Sequence, residues 1–162
     1  MKKEQIQQLL NEALLTGADF GELFFEDTHS SVISVMNGEV TNISNSDTSG
    51  VGVRLLKGTN EVYGYTNDIS YDSIKQLLEQ LKASFNDEAG KVLKLKEPLP
   101  FENDIKIPFD QVPTSEKTKK LIELNNITKS YDEKIVQAIT NLSETKQDVL
   151  IANTEGTYQN DT

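Results

Sequence analysis

Apolar side chains near the amino terminus recur at Ile6, Leu9, Leu10, Ala13 and Leu14. This i, i+3, i+4, i+7, i+8 spacing puts one apolar stripe on a helix. Gly17 follows, a residue that tolerates the left-handed backbone at helix ends. From Phe20 the period shortens to two, and five short strands are expected before Asn67: Leu23-Phe24-Phe25, Val32–Met36, Glu39–Ser44, Gly50–Leu56 and Val62–Tyr65. Asn37-Gly38 between the second and third is a strong hairpin signal, because a type I′ turn needs positive φ at both central residues. Short connections between consecutive strands predict an antiparallel meander with one face wet. Ser70 reads as an N-cap, with Asp72 in the first helical turn. The helix it opens carries Ile74, Leu77, Leu78, Leu81 and Phe85 on one stripe.

Four prolines, at 98, 100, 108 and 113, break the pattern between about residues 86 and 113. Proline fixes φ and removes a donor, so an extended wrap anchored by Leu99, Phe101, Ile107 and Phe109 is expected there. A third helix over 115–130, capped by Thr114 and with Leu121, Leu124 and Thr128 near one face, follows. Strands at Lys134–Leu142 and Asp148–Asn153 then lead to a turn at 153–156 and the start of another strand. The fold expected is therefore α+β: an antiparallel meander covered by helices over 1–85, a proline-rich extended linker over 86–113, and a helix-plus-hairpin unit over 114–162. The last strand looks interrupted, and an uncovered sheet edge there would invite a second chain.

Charge and composition narrow the chemistry. The 162 residues carry 26 acidic against 16 basic side chains, a net charge of −10, and no cysteine. That field repels a phosphate backbone, and the lysines lie in mixed runs with glutamates, so nucleic acid is not an expected partner. The first fifteen residues are interrupted by Glu4, Gln7, Gln8, Asn11 and Glu12, which fits neither a signal peptide nor a membrane span. Without cysteine there is no disulfide scaffold and no thiol chemistry. A cytoplasmic location is the expectation.

A catalytic centre is not legible. His29 is the single histidine, and with Glu26 and Asp27 it reads as the solvent-facing end of a strand and its turn. Catalytic zinc needs three protein ligands, usually rich in His and Cys. No Gly-x-Ser-x-Gly elbow presents a nucleophile. Gly50-Val51-Gly52-Val53-Arg54 lies inside an alternating strand with no helix behind it, which argues for close backbone approach rather than dinucleotide binding. The more promising group is Arg54, Tyr63, Tyr65, Asn67 and Asp68. Alternation puts Arg54 on one face with Gly52, and Tyr63 with Tyr65 on one face of the neighbouring strand, a composition suited to a peptide or partner chain. The plainer reading pairs Arg54 with a surface carboxylate and half-buries the tyrosines.

Several segments follow in a distinctive order: Gly17-Ala18-Asp19-Phe20-Gly21-Glu22-Leu23-Phe24-Phe25-Glu26, the turn at Gly38-Glu39-Val40, Gly50-Val51-Gly52-Val53-Arg54, Tyr65-Thr66-Asn67-Asp68-Ile69-Ser70, residues 130–136 and residues 149–156. Their order resembles the amino-terminal part of the TldD/PmbA family, zinc-dependent peptidases once described as modulators of DNA gyrase. Tyr65-Thr66-Asn67-Asp68 is closer to the metal-bearing TldD branch than to the metal-free PmbA branch. The resemblance implies that the His-Glu-x-x-x-His zinc motif lies in a carboxy-terminal half beyond this chain, so no catalytic or metal residue is carried over to any position here. It further implies a cleft-shaping and subunit-interface role in a metallopeptidase acting on unfolded or extended peptides, with a PmbA-type subunit or a second copy as partner. A stand-alone, non-catalytic binding module and the metal-free scaffold subunit are the rival readings.

Overall fold

The computed structural model describes residues 1–83, 94–98 and 105–162. Among these, the fold is α+β, a five-stranded antiparallel sheet with three α-helices. In chain order they are α1 (Lys3–Leu14), β1 (Phe20–Met36), β2 (Glu39–Lys57), β3 (Asn60–Thr66), α2 (Tyr71–Lys82), α3 (Thr114–Ser130), β4 (Ile139–Asn153) and β5 (Tyr158–Asp161). The strand order is β3-β2-β1-β4-β5. The chain thus meanders through three strands and returns on the far side of β1. Phe85, Leu99 and Phe101, expected as helix and linker anchors, lie outside the described residues.

The five short strands expected before Asn67 are three longer ones. Polar stretches at 26–31 and 44–49 read as breaks because they carry few apolar residues. They contain neither proline nor a turn pair, and ladder hydrogen bonding needs only backbone. The same correction joins the two expected late strands into β4, and residues 134–138 precede it. Asn37 and Gly38 form the expected hairpin turn, with φ of 50° and 85°.

The chain divides into two compact units. The first comprises residues 1–27, 48–102 and 147–162. Its core joins Ile6, Leu9, Leu10 and Ala13 of α1 to Leu23, Val51, Val53 and Leu55 of the sheet and to Ile74 and Leu78 of α2. Each buried Leu, Ile or Val among these contributes roughly 1.5–3 kcal/mol. Two glycines allow the helices to approach: a Cβ at Gly21 would stand 2.9 Å from Ala13 Cβ, and one at Gly64 would stand 2.8 Å from Leu77 Cδ1. Ser70 caps α2 as expected, accepting from Ser73 N at 3.3 Å. Leu95, from the short described segment 94–98, is buried in this core, and its N–H donates to Gln7 Oε1.

The second unit comprises residues 28–47 and 103–146. Here Leu121 and Ile122 of α3 pack on Ile33, Val35 and Leu142. The N-cap is Pro113 rather than Thr114, with no side-chain cap, and Thr114 is already helical. The buried face is the expected one only at Leu121. Leu121 and Asn125 are buried, whereas Leu124 and Thr128 are exposed. Ile107 is exposed, and residues 109–111 form a single 3₁₀ turn instead of an extended wrap.

Candidate functional site

The side chains singled out from the sequence fall on the first unit. Antiparallel pairing sets Gly52 opposite Tyr65 and Arg54 opposite Tyr63, so these four share one sheet face. Gly64, between the two tyrosines, points the other way and meets Leu77 of α2. The tyrosines therefore stand on the face that α2 does not cover, and both are exposed, at 61% and 73%. Alternation forces this arrangement, because a strand whose even positions pack on a helix must present its odd positions outward.

Glycine makes the outward face concave. A Cβ at Gly52 would lie 2.6 Å from Tyr63 Oη, so the tyrosine ring rests over bare backbone. At Gly50 a Cβ would meet Thr66 O at 2.8 Å. The result is a trough of about 200 Å³ whose walls include Phe24, Glu26, Tyr63, Tyr65 and Asn67. Phe24 was not foreseen as part of it. The available signal was parity: Phe24 alternates with the core residue Leu23, so in an unbroken strand it must face outward. Glu26 accepts a hydrogen bond from Gln147 Nε2 at 3.0 Å.

Arg54 pairs with a surface carboxylate, its Nε 3.1 Å from Glu61 Oε1 in a half-exposed ion pair. Such pairs contribute little stability. Asp68 is tied to the start of α2, accepting from Ser70 N at 2.9 Å and Ser73 Oγ at 2.6 Å. The Ser73 hydroxyl, followed by the bonds from Ser70, holds its carboxyl below the ordinary aspartate range. Asn67 borders the trough.

His29 is placed differently from expectation. It sits in the middle of β1, inside the second unit, instead of at a strand end. Its Nδ1 is bonded to Asp47, and its ring stacks on Phe109 with centroids 5.8 Å apart. On Phe109 also lies Lys117, whose Nζ is 5.0 Å from the ring centroid and 2.7 Å from Glu144 Oε2. The neighbouring hydroxyl of Ser30 bonds to Thr145 Oγ1. Among the described residues, no three His, Cys, Asp or Glu side chains converge as a metal site. With one histidine and no cysteine in the chain, the donor set does not fit a catalytic zinc. No helix among the described residues is long and apolar enough to cross a membrane.

Comparison with known proteins places the chain. Residues 21–85 match the model for PmbA/TldA metallopeptidase domain 1, and residues 107–162 match the PmbA/TldA metallopeptidase central domain. A metalloprotease TldD homolog of Buchnera aphidicola subsp. Schizaphis graminum is 28% identical over 145 residues, covering 88% of this chain and 30% of that protein. Its counterpart from Buchnera aphidicola subsp. Acyrthosiphon pisum is 25% identical over 156 residues, covering 94% and 32%. The chain thus spans about a third of the length of these relatives. The crystal structure of a proposed modulator of DNA gyrase from Bacteroides thetaiotaomicron superposes with a TM-score of 0.72 at 11% identity, over 98% of this chain and 38% of the other. TldE from Thermococcus kodakarensis gives 0.70 at 17% identity, over 97% and 36%. At such identities the structural likeness establishes the fold alone.

Proposed function

Because the chain belongs to the PmbA/TldD metallopeptidase family, spanning its first and central domains, we propose that it shapes the substrate cleft and subunit interface of a TldD-like zinc peptidase acting on extended peptides. Two relatives named as TldD homologs support the TldD side of the family. Among the described residues no three His, Cys, Asp or Glu side chains converge as a metal site. In this reading the chain contributes binding and orientation, and the zinc centre belongs to residues outside it.

The observation that carries the reading is the exposed pair Tyr63 and Tyr65 beside a glycine floor. Tyrosine supplies a large amphipathic surface at low entropy cost, which suits contact with polypeptide. A floor of bare backbone at Gly50 and Gly52 lets an extended chain approach closely without demanding a particular sequence. The donor and acceptor groups around it (Glu26, Asn67 and the phenols) can orient such a chain. Chemistry is left to the centre elsewhere.

Titration of the chain with a short unstructured peptide, followed calorimetrically, tests this. Binding should weaken about fivefold or more in Tyr65→Ala, the usual cost of about 1 kcal/mol for truncating an interface aromatic. An affinity unchanged in Tyr65→Ala and in Tyr63→Ala would remove the trough from the binding surface.

A further inference from the structure

In the second unit, residues 39–47 of β2 form a sheet edge. β1 lies on one side of β2; on the other, β3 pairs only with residues 51–57, and among the described residues no strand covers 39–47. Every residue from 39 to 49 is exposed. Such an edge presents a row of backbone donors and acceptors, which proteins commonly guard with lysine, proline or inward charge. None of these guards is present: Val40-Thr41-Asn42-Ile43-Ser44-Asn45-Ser46 contains no charged residue and no proline. Beside the edge runs a groove of about 510 Å³, with Ile43 and Ile122 as its apolar surface and Thr114, Thr118 and Lys119 along it.

We propose that this edge docks an extended segment of another polypeptide by strand addition, with one of the added side chains seated in the groove between Ile43 and Ile122. Backbone pairing supplies affinity and the groove supplies selectivity for an apolar side chain, the usual division in strand addition. Charge selects the occupant. Glu39 and Asp47 bracket the neutral run, and Asp47 stays 78% exposed while bonded to His29. Antiparallel pairing of two copies about Ile43 would set Glu39 of one against Asp47 of the other, and directly opposed like charges are destabilising. The net charge of −10 adds to that repulsion. The segment that fits has a short neutral run flanked by Lys or Arg. This surface shares no lining residue with the tyrosine trough, and the proposal does not depend on it.

Amide hydrogen exchange on the 162-residue chain decides the matter, with acetyl-Lys-Thr-Val-Thr-Val-Thr-Lys-amide as probe. At about ten times its Kd, measured by titration, the probe should slow exchange of edge-facing amides within 39–47 about tenfold. Alternate N-methylation of the probe should abolish the effect. Ile43→Lys, a change at a half-exposed position, should abolish it too, while Tyr65→Ala leaves it intact and so separates this surface from the trough. No slowing at a millimolar excess of probe overturns the proposal, as does slowing confined to residues 48–67. Protection without probe that grows with protein concentration also overturns it, because the occupant would then be a second copy.

Discussion

Asn125 Oδ1 accepts a hydrogen bond from the backbone N–H of Gly38 at 2.7 Å, joining a buried side chain of α3 to the tip of a hairpin 87 residues earlier. The same amide donates from Nδ2 to Val35 O, Ala138 O and Thr140 Oγ1 at 3.0–3.2 Å. Two hydrogens are thus shared among three acceptors. One fully buried side chain satisfies backbone groups from both β1 and the entry to β4, and no described buried side-chain polar atom is left unpaired.

Asn125→Ala should therefore be among the most destabilising single changes in the second unit. It removes the bonds to the Gly38 N–H and to the Val35 and Ala138 carbonyls. Unpaired buried groups cost about 1–3 kcal/mol each, so a total loss of about 2–4 kcal/mol is expected. Urea titration followed by circular dichroism measures it. A loss below about 1 kcal/mol would mean that water replaces the amide.

At the hairpin tip, Gly38→Val should cost at least about 1 kcal/mol, because a β-branched residue is strained at positive φ. The φ of 85° and the approach of a new Cβ to 2.8 Å from Asn126 Oδ1 act in the same direction. Gly38→Asn should cost less, since asparagine tolerates that region. Equal urea midpoints for all three proteins would contradict the turn.

Two glycines on opposite faces should respond differently to alanine. In Gly64→Ala the new methyl presses on Leu77 Cδ1 in the packed interface with α2. Overpacking of this kind costs typically about 1–3 kcal/mol. In Gly52→Ala the obstacle is the tip of an exposed tyrosine, which can swing aside, so stability should change by less than about 0.5 kcal/mol. Peptide affinity should fall in Gly52→Ala, because the methyl fills the floor of the trough. Thermal melts and calorimetric titration of the two variants provide the comparison.

Asp68 supplies a pH dependence. Its folded-state pKa lies below the ordinary value, chiefly through the Ser73 hydroxyl bond. The stabilisation is therefore fully present above the unfolded aspartate pKa of about 3.9 and is lost as pH falls through the lower folded value. Asp68→Asn should narrow the stability difference between neutral and strongly acidic solution. Unfolding curves at pH 7 and at pH values below about 3.9 test this, and an unchanged difference would show that the α2 cap is broken in solution.

Local chemistry in the sequence settled a good deal. The stripe from Ile6 to Leu14 fixed α1, Asn37-Gly38 fixed the hairpin, and Ser70 with Asp72 fixed the start of α2. The alternation Gly52/Arg54 and Tyr63/Tyr65 placed those residues on common sheet faces before any coordinates, because a strand's side-chain period is two wherever it lies. What was not legible depends on partners distant in sequence. His29 and Asp47 looked like loop residues because polarity was taken for irregularity, whereas backbone pairing extends β1 and β2 straight through them. Asn125 was not on the expected face of its helix, which held Leu121, Leu124 and Thr128. Its burial goes with bonds to Gly38, Val35 and Ala138, which are brought together only when β4 returns beside β1. Periodicity reports what a segment hides from water, but which polar group satisfies which is decided by the tertiary structure that supplies the partners.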